Sequence, residues 1–485
     1  MSTNAPSSDA HAVPVGDDGR FAAYGKLLRL SGPLILSQMG IMLMQIVDGV
    51  FLARYSETAI AAVGPSGMTF WLIGGLFMGL VGYSNTFVAQ YVGAGQPGRV
   101  GSAVWQAVYL ALVAGGILAY LSLFGEWFFE LAGHAPEVRA DEVVYFRILA
   151  WGGGVFLLSG AFSGFYAGRH DNVMLMVAHV AGGVTNAVFD ALLIFGLLGF
   201  PRLGIAGAAW ATVLAHAVQA AMLGIGFFAP RFRREFNTWR GRGLEFGLLL
   251  RLIRFGFPNG VRYVIEIAAW TVFLLIIGKI DSTGLAASNI AWRINGMAFF
   301  PVIGLSIAVS MLVGQAQGAG RPDLARQATR RGLVLGQVWM TAAAALMVLW
   351  PGLLLRLFLG DTVVAADSEL YRLCVVLLRY VAVYCLLDNL NIIYMATLAG
   401  AGDTFWMLVV SGVAHVLFAA ALLILAWLGG GTESLWVAAT VFICLLAGVW
   451  VFRFRSSAWE GKRVVESVSA VALNPAYSEP VEGGI

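Results

Sequence analysis

The sequence predicts an all-α integral membrane protein, with twelve transmembrane helices in two pseudo-symmetric six-helix bundles. Three observations carry that prediction. Of 485 residues, 59% are hydrophobic and only 12% charged, with a mean hydropathy of +0.80, which leaves too little charge to cover a soluble surface. The apolar residues fall into twelve stretches, each near or above the ~20 residues that a helix needs to cross a hydrocarbon core about 30 Å thick. The first six stretches resemble the last six.

In chain order the expected spans are 30–53, 61–90, 101–124, 143–167, 173–198 and 204–229, then 255–278, 285–313, 332–358, 371–398, 405–428 and 433–453. The breaks carry residues that end helices, in GAGQPGR, AGHAPEVRADE, AGRHD, GFPRLG, GAGRPD and GAGD. The first twenty residues, MSTNAPSSDAHAVPVGDDGR, are polar and lack the basic start and apolar middle of a signal peptide. They belong to an expected disordered tail, residues 1–25, and residues 456–485 to a second. Between the tails lie an amino-terminal lobe at 26–230, a basic linker at 231–254 and a carboxyl-terminal lobe at 255–455.

An even number of spans puts both tails on one side. If that side is the cytoplasm, its segments hold twenty of the thirty Lys and Arg and the other face holds eight, so both termini are expected inside. The most basic connection, RFRREFNTWRGRG, separates the two halves. A shift of 225 residues superimposes Pro33 on Pro258, Gly79 on Gly304, Gln90 on Gln315 and GAGQP at 93–97 on GAGRP at 318–322. Each half has an even number of spans, so the halves share one polarity and are related by a pseudo-two-fold axis along the membrane normal. Two such bundles leave a cleft between them, and rocking about it gives alternating access.

An ionisable residue inside a bilayer costs on the order of 3 kcal/mol, so each needs a local reason. Six stand out: Asp48, Asp190, Arg262, Glu266, Arg293 and Asp388. Acids outnumber bases four to two, which suits cationic cargo. Asn186 and Asp190 are four apart on one helix face; with Asp48, and with the hydroxyl of Thr212, they make a candidate site for a hard cation or a proton. A purely structural hydrogen-bond cluster is the alternative. In the second half, Arg262 and Glu266 are also four apart and form a possible self-neutralising pair. Asp388 sits beside Asn389 and Asn391, enough polarity to suggest a wet cavity. Under the 225-residue shift Asp48 falls on Phe273, two helical turns from Glu266.

Other chemistries find no support. Cys374, Cys385 and Cys444 lack paired spacing, so they suggest packing rather than a disulfide or zinc site. His179, His216 and His415 form no metal-binding pattern and are expected to pack through hydrogen bonds. The glycine runs lack the lysine of a phosphate loop, which leaves an ion gradient as the energy source. No nucleophile constellation is present and no enzyme activity is expected. Met42, Met44, Phe51 and Phe70 are of the type that lines an adaptable apolar pocket.

The sequence resembles the multidrug and toxic compound extrusion (MATE) family from about residue 25 to 455. The resemblance rests on P...Q...VDGVFLAR in the first span, the paired GAGQP and GQAQGAGRP loops, FGFPNGVRYVIE in the seventh and LLDNLNIIYMATLAGAGDT in the tenth. It implies a secondary active antiporter that exports small cationic or amphipathic drugs in exchange for Na⁺ or H⁺, without a cofactor. It further implies that Asp48, Asn186, Asp190 and Thr212 form the coupling site, and the Na⁺ site if sodium is the ion. Glu266, Asp388, Arg262 and Asn389 become carboxyl-lobe candidates for ion or substrate. The expected setting is the bacterial inner membrane, as a monomer in contact with lipids and without nucleic acid. A lipid-linked oligosaccharide flippase of the same superfamily is the other reading; it predicts additional spans and a basic central cavity, and the sequence has neither.

Overall fold

Every apolar stretch is helical, and most helices run past the stretch that predicts them. The computed structural model describes residues 20–365 and 368–466, and every regular element among them is a helix. The first half comprises α1 (Arg20–Tyr55), α2 (Glu57–Gly82), α3 (Ser84–Gly93), α4 (Val100–Leu121), α5 (Gly125–Ala132), α6 (Pro136–Trp151), α7 (Gly153–Gly168), α8 (Asn172–Phe195) and α9 (Ile205–Phe227). A short α10 (Pro230–Glu235) leads through the linker to α11 (Phe246–Ile280), α12 (Ser282–Gly318), α13 (Pro322–Leu349), α14 (Pro351–Ala365), α15 (Glu369–Ala401), α16 (Thr404–Trp427) and α17 (Thr432–Arg455). Among the described residues eleven helices are long and apolar enough to span a membrane, and α6 with α7, bent by 45°, makes a twelfth.

Several boundaries differ from the hydropathy reading. The fourth expected span is broken at Gly152, where a run of three glycines removes side chains and lets Gly154 of α7 rest against Gly115 of α4. The ninth, expected to 358, ends at Leu349, because Pro351 cannot continue the helix and instead starts α14. The linker is shorter than 231–254, since α10 and the start of α11 are helical. Of the expected amino-terminal tail, residues 20–25 already belong to α1, and residues 1–19 lie outside the described residues. Of the carboxyl-terminal tail, residues 467–485 lie outside them, while 456–466 are not a loose tail at all: Trp459, Val464 and Val465 are buried.

Packing in the second half repeats packing in the first. The pairs α1 with α8, α8 with α9, and α4 with α7 recur as α11 with α16, α16 with α17, and α13 with α15. Between halves, α1 packs on α12 and α2 on α11, which the same pseudo-two-fold axis exchanges. The exchange holds at single residues. Gly79 meets Gly260, and 225 residues along, Gly304 meets Ile35; a Cβ on either glycine would come within 2.5 or 2.6 Å of the facing Cα. Gly93 lies on the backbone of Gln315, and its counterpart Gly318 on that of Gln90, again with no room for a methyl. Gln90 donates to the Gly400 carbonyl at 2.9 Å and Gln315 to the Gly168 carbonyl at 3.0 Å. Tyr83 adds a hydroxyl bond to the Ala399 carbonyl at 2.7 Å.

With twelve spans the described chain starts and finishes at one end of the bundle, here the terminal end. The Gln90 and Gln315 contacts lie there, at the last turns of α3 and α12. Glycine lets the helices approach closely enough for van der Waals packing to hold them in lipid, where the hydrophobic effect gives no drive to associate. The two lobes are thus joined at the terminal end by a reciprocal seal.

Candidate functional site

Asn186 and Asp190 share one helix face, as their spacing predicts. On α8, Ala178, Gly182, Asn186 and Asp190 recur every four residues and are all buried, so they define an inward face. Gly182 gives way to Gln219 of α9, which keeps the two helices close beside the polar pair. Asp48 of α1, 9% exposed, faces this stripe across the α1 and α8 contact, with its carboxyl within hydrogen-bond reach of both Asp190 and Asn186. Thr212 of α9 completes the set: Asn186 Nδ2 reaches its hydroxyl at 3.5 Å, and that hydroxyl donates to the Ala208 carbonyl at 3.1 Å.

What sets this cluster apart is its surplus of oxygen. Asp48 Oδ1, Asn186 Oδ1 and both carboxyl oxygens of Asp190 are buried and lack a hydrogen-bond donor. Such groups are costly unless something positive lies among them, because two facing carboxyls cannot both carry charge without a proton or cation between them. Carboxylate, amide and hydroxyl oxygens are the donors that a hard cation takes. Among the described residues no three His, Cys, Asp or Glu side chains gather to hold a metal ion.

Tyr145 of α6 belongs to the same cluster and sequence reasoning missed it. Its ring is buried, its hydroxyl lies within hydrogen-bond reach of Thr212, and both carboxyls are close enough to act on it electrostatically. In sequence it reads as one more aromatic near the start of a span, and nothing in its spacing ties it to Asp48.

The carboxyl lobe divides its candidates. Arg262 and Glu266 form an ion pair of 2.8 Å within α11, so Glu266 carries its own counter-charge. Arg262 also points at the Met395 sulfur, 3.7 Å away. Asp388 accepts from Asn391 at 3.2 Å and lies within electrostatic reach of Glu266. Asn389 does not join them. It is buried against α13, where it donates to the Leu333 carbonyl at 3.0 Å and to Gln337 at 3.1 Å. Successive residues on a helix point about 100° apart, which is why neighbours in sequence part company here. Arg293 is exposed. Each of the three intramembrane histidines has a hydrogen-bond partner: His179 bonds to Ser37 of α1, while His216 bonds to Gln219 and His415 to the Ser411 carbonyl within their own helices. All three cysteines are free thiols.

The family model MatE matches the chain twice, at residues 33–192 and 258–425. The chain belongs to the MatE family. Its two matches begin 225 residues apart, the offset that superimposes Pro33 on Pro258 and exchanges the inter-lobe glycines. The probable multidrug resistance protein NorM of Pseudomonas putida is 31% identical over 449 residues, which covers 90% of this chain and 95% of that protein. The protein of the same name from Bradyrhizobium diazoefficiens is 29% identical over 438 residues, or 89% of this chain and 93% of the relative. Among solved structures, an outward-facing multidrug resistance MATE family transporter of the MOP superfamily aligns with a TM-score of 0.81 at 21% identity, over 90% of this chain and 96% of its own. At that identity the likeness is one of fold. As a MATE protein the chain is a multi-pass membrane transporter, not an enzyme.

Proposed function

We propose that this MATE protein is a secondary active antiporter that exports small cationic, amphipathic drugs in exchange for Na⁺ or H⁺. The observation that carries the reading is the Asp48–Asp190 pair with Asn186, which leaves four buried oxygens without donors. A proton or Na⁺ among these oxygens supplies what the protein does not, and its departure leaves a negative site that favours a cationic drug nearby.

Coupling follows from linkage. An ion shifts the equilibrium between two lobe arrangements only to the extent that it binds one better than the other, and the drug must have the opposite preference. Asp48 sits on α1 and Asp190 on α8, and α1 also packs on α12 of the other lobe. A change at the pair is therefore transmitted to the helix that touches both lobes. The rocking units are the lobes at 26–230 and 255–455. The membrane is the bacterial inner membrane, with the terminal end cytoplasmic, in keeping with the concentration of Arg and Lys there.

The carboxyl lobe takes a lesser role, because Glu266 is already paired with Arg262. Glu266 and Asp388 contribute to the field that the drug meets. The test is ion-driven efflux of a fluorescent cation from proteoliposomes, under an imposed Na⁺ gradient and then an imposed pH gradient. Wild type responds to one of the gradients, and Asp48→Asn loses that response. Unchanged ion-driven efflux in Asp48→Asn overturns the proposal.

A further inference from the structure

The segment after α17 closes a gap in the symmetry of the terminal seal. In the first half, α7 ends in FYAGRHD at 165–171; in the second, α15 ends in TLAGAGD at 397–403. The two turns share a backbone form. Asp171 N bonds to the Tyr166 carbonyl at 3.0 Å and Asp403 N to the Leu398 carbonyl at 2.9 Å. His170 and Gly402, one residue before each aspartate, both have positive φ, 65° and 97°.

Their side chains differ, and the difference matters to the glutamines. Gln315 donates to the Gly168 carbonyl, and its own amide oxygen lies 2.8 Å from the His170 imidazole Nε2 across the lobe boundary. Gln90 donates to the equivalent Gly400 carbonyl. Gly402 has no side chain to meet its amide oxygen. Val464 supplies the donor instead, through its backbone N–H at 2.8 Å. It also occupies the space that a side chain at 402 would take, since a Cβ built there would lie 2.8 Å from Val464 Cγ1.

The approach of this segment is anchored along its length. Trp459 is fully buried, stacks on Phe454 at 5.3 Å between centroids and accepts from Gln317 of α12 at 3.2 Å through its carbonyl. Glu460 pairs with Arg326 of α13 and Lys462 with the buried Asp403. Glu466 then accepts from Tyr91 of α3 at 3.1 Å and pairs with Arg251 of α11. The segment thus runs from the last helix of the carboxyl lobe onto α3 of the amino lobe.

We propose that residues 463–466 are a gate element of the transport cycle. They stand in for the side chain that Gly402 lacks, seal the terminal end of the cleft, and leave Gln90 and Tyr91 when that end opens. The inference rests on the rocking of two lobes proposed above. It concerns the gate and not the ion site.

The test reads gate position without drug or gradient, so its failure is distinct from failure of the coupling proposal. Reporter cysteines are placed singly at Thr86, buried beside α12 at the seal, and at Met42, which faces Gly296 of α12 beyond the inter-lobe glycines. The native cysteines are replaced, and the protein is held in lipid nanodiscs. Loss of the Gln90 and Glu466 bonds, one of them charge-assisted, is expected to raise the rate of maleimide labelling at Thr86→Cys about tenfold and to lower it at Met42→Cys. This is measured in a chain ended after Ser456 and in full-length Val464→Pro, which removes the N–H donor together with the valine contact at Gly402 and remains informative if the shortened chain fails to fold. His170→Ala, the symmetry-related lesion, shifts both rates the same way. Unchanged labelling at both positions overturns the proposal. So does a rise at both together, because a loosened bundle exposes both sites whereas a moved gate trades one for the other.

Discussion

Gly93→Ala and Gly318→Ala test the reciprocal seal, and they are expected to behave as one substitution made twice. Each glycine rests on the backbone of the glutamine in the opposite half, Gln315 or Gln90, so an added methyl meets a carbonyl and Cα and not a side chain that can rotate away. Overpacking of this kind costs about 1–3 kcal/mol. The cost falls only on the sealed arrangement; any gain in helix propensity from Ala is common to both arrangements and cancels. The ratio of sealed to open protein therefore drops by about 5- to 150-fold. Spin labels at Gly98 and Gln327, on the two sides of the terminal end, report the change as a distance distribution. The sealed population shrinks and a longer distance appears, to a similar extent in both variants. A wild-type distribution in both variants, or a shift in only one, refutes the reasoning, because a pseudo-two-fold contact cannot be loosened from one side alone.

Three further outcomes follow from the site and from the carboxyl-terminal segment at 456–466. Tyr145→Phe removes the hydroxyl that reaches Thr212, and the ion concentration giving half-maximal efflux rises several-fold while thermal stability falls by only about 1 kcal/mol. Asn389→Leu strips a donor from the Leu333 carbonyl and Gln337, lowering stability in detergent unfolding by about 1–3 kcal/mol with the ion dependence of efflux unchanged. Glu466 gives a pH dependence. Burial pushes its carboxyl up, but the bond to Arg251 and the charges of Arg251 and Arg99 outweigh this and hold it below its ordinary value of 4.5. Tyr91 also faces Glu466, and Glu245 shares Arg99 at 2.8 Å. A carboxyl held low when docked favours docking above its ordinary value and loses that advantage as pH falls through the lowered one. The sealed population in the Gly98–Gln327 distance distribution is therefore flat from about pH 8 to about pH 5 and shrinks in stronger acid, and Glu466→Gln removes the acid-dependent loss.

The spans were legible because lipid imposes one simple demand, and long apolar runs answer it. The duplication was legible for a similar reason: Pro33 and Pro258 punctuate equivalent helices, and their offset is the one that the inter-lobe glycines and the two family matches obey. Asn186 and Asp190 could be paired from spacing, and Asp48 joined them because an acid in lipid needs a partner. Tyr145 could not be found this way, since a tyrosine near a span end is at home at the membrane interface whatever it touches. Asn389 was grouped with Asp388 by adjacency, although the helical period already separates them.

The carboxyl-terminal strap was hidden for a different reason. Residues 456–466 are polar and lack periodicity, which says that they cannot build a core of their own. It does not say that they have nowhere to dock. The receiving surface comes from Gly402, Gln90 and Tyr91, and the deciding bond joins residues 374 apart in sequence. Only the fold brings a missing side chain and a spare backbone donor together.

The central claim is that the carboxyl pair of Asp48 and Asp190 holds a cation which the drug displaces. Purified protein titrated with a fluorescent cationic drug tests it directly, with proton release read from binding heats in two buffers of different ionisation enthalpy and Na⁺ release from loss of bound radioactive sodium. Wild type releases about one cation for each drug bound, and the Asp48→Asn, Asp190→Asn double variant releases none. Drug binding without release from wild type, or the same release from the double variant, contradicts it.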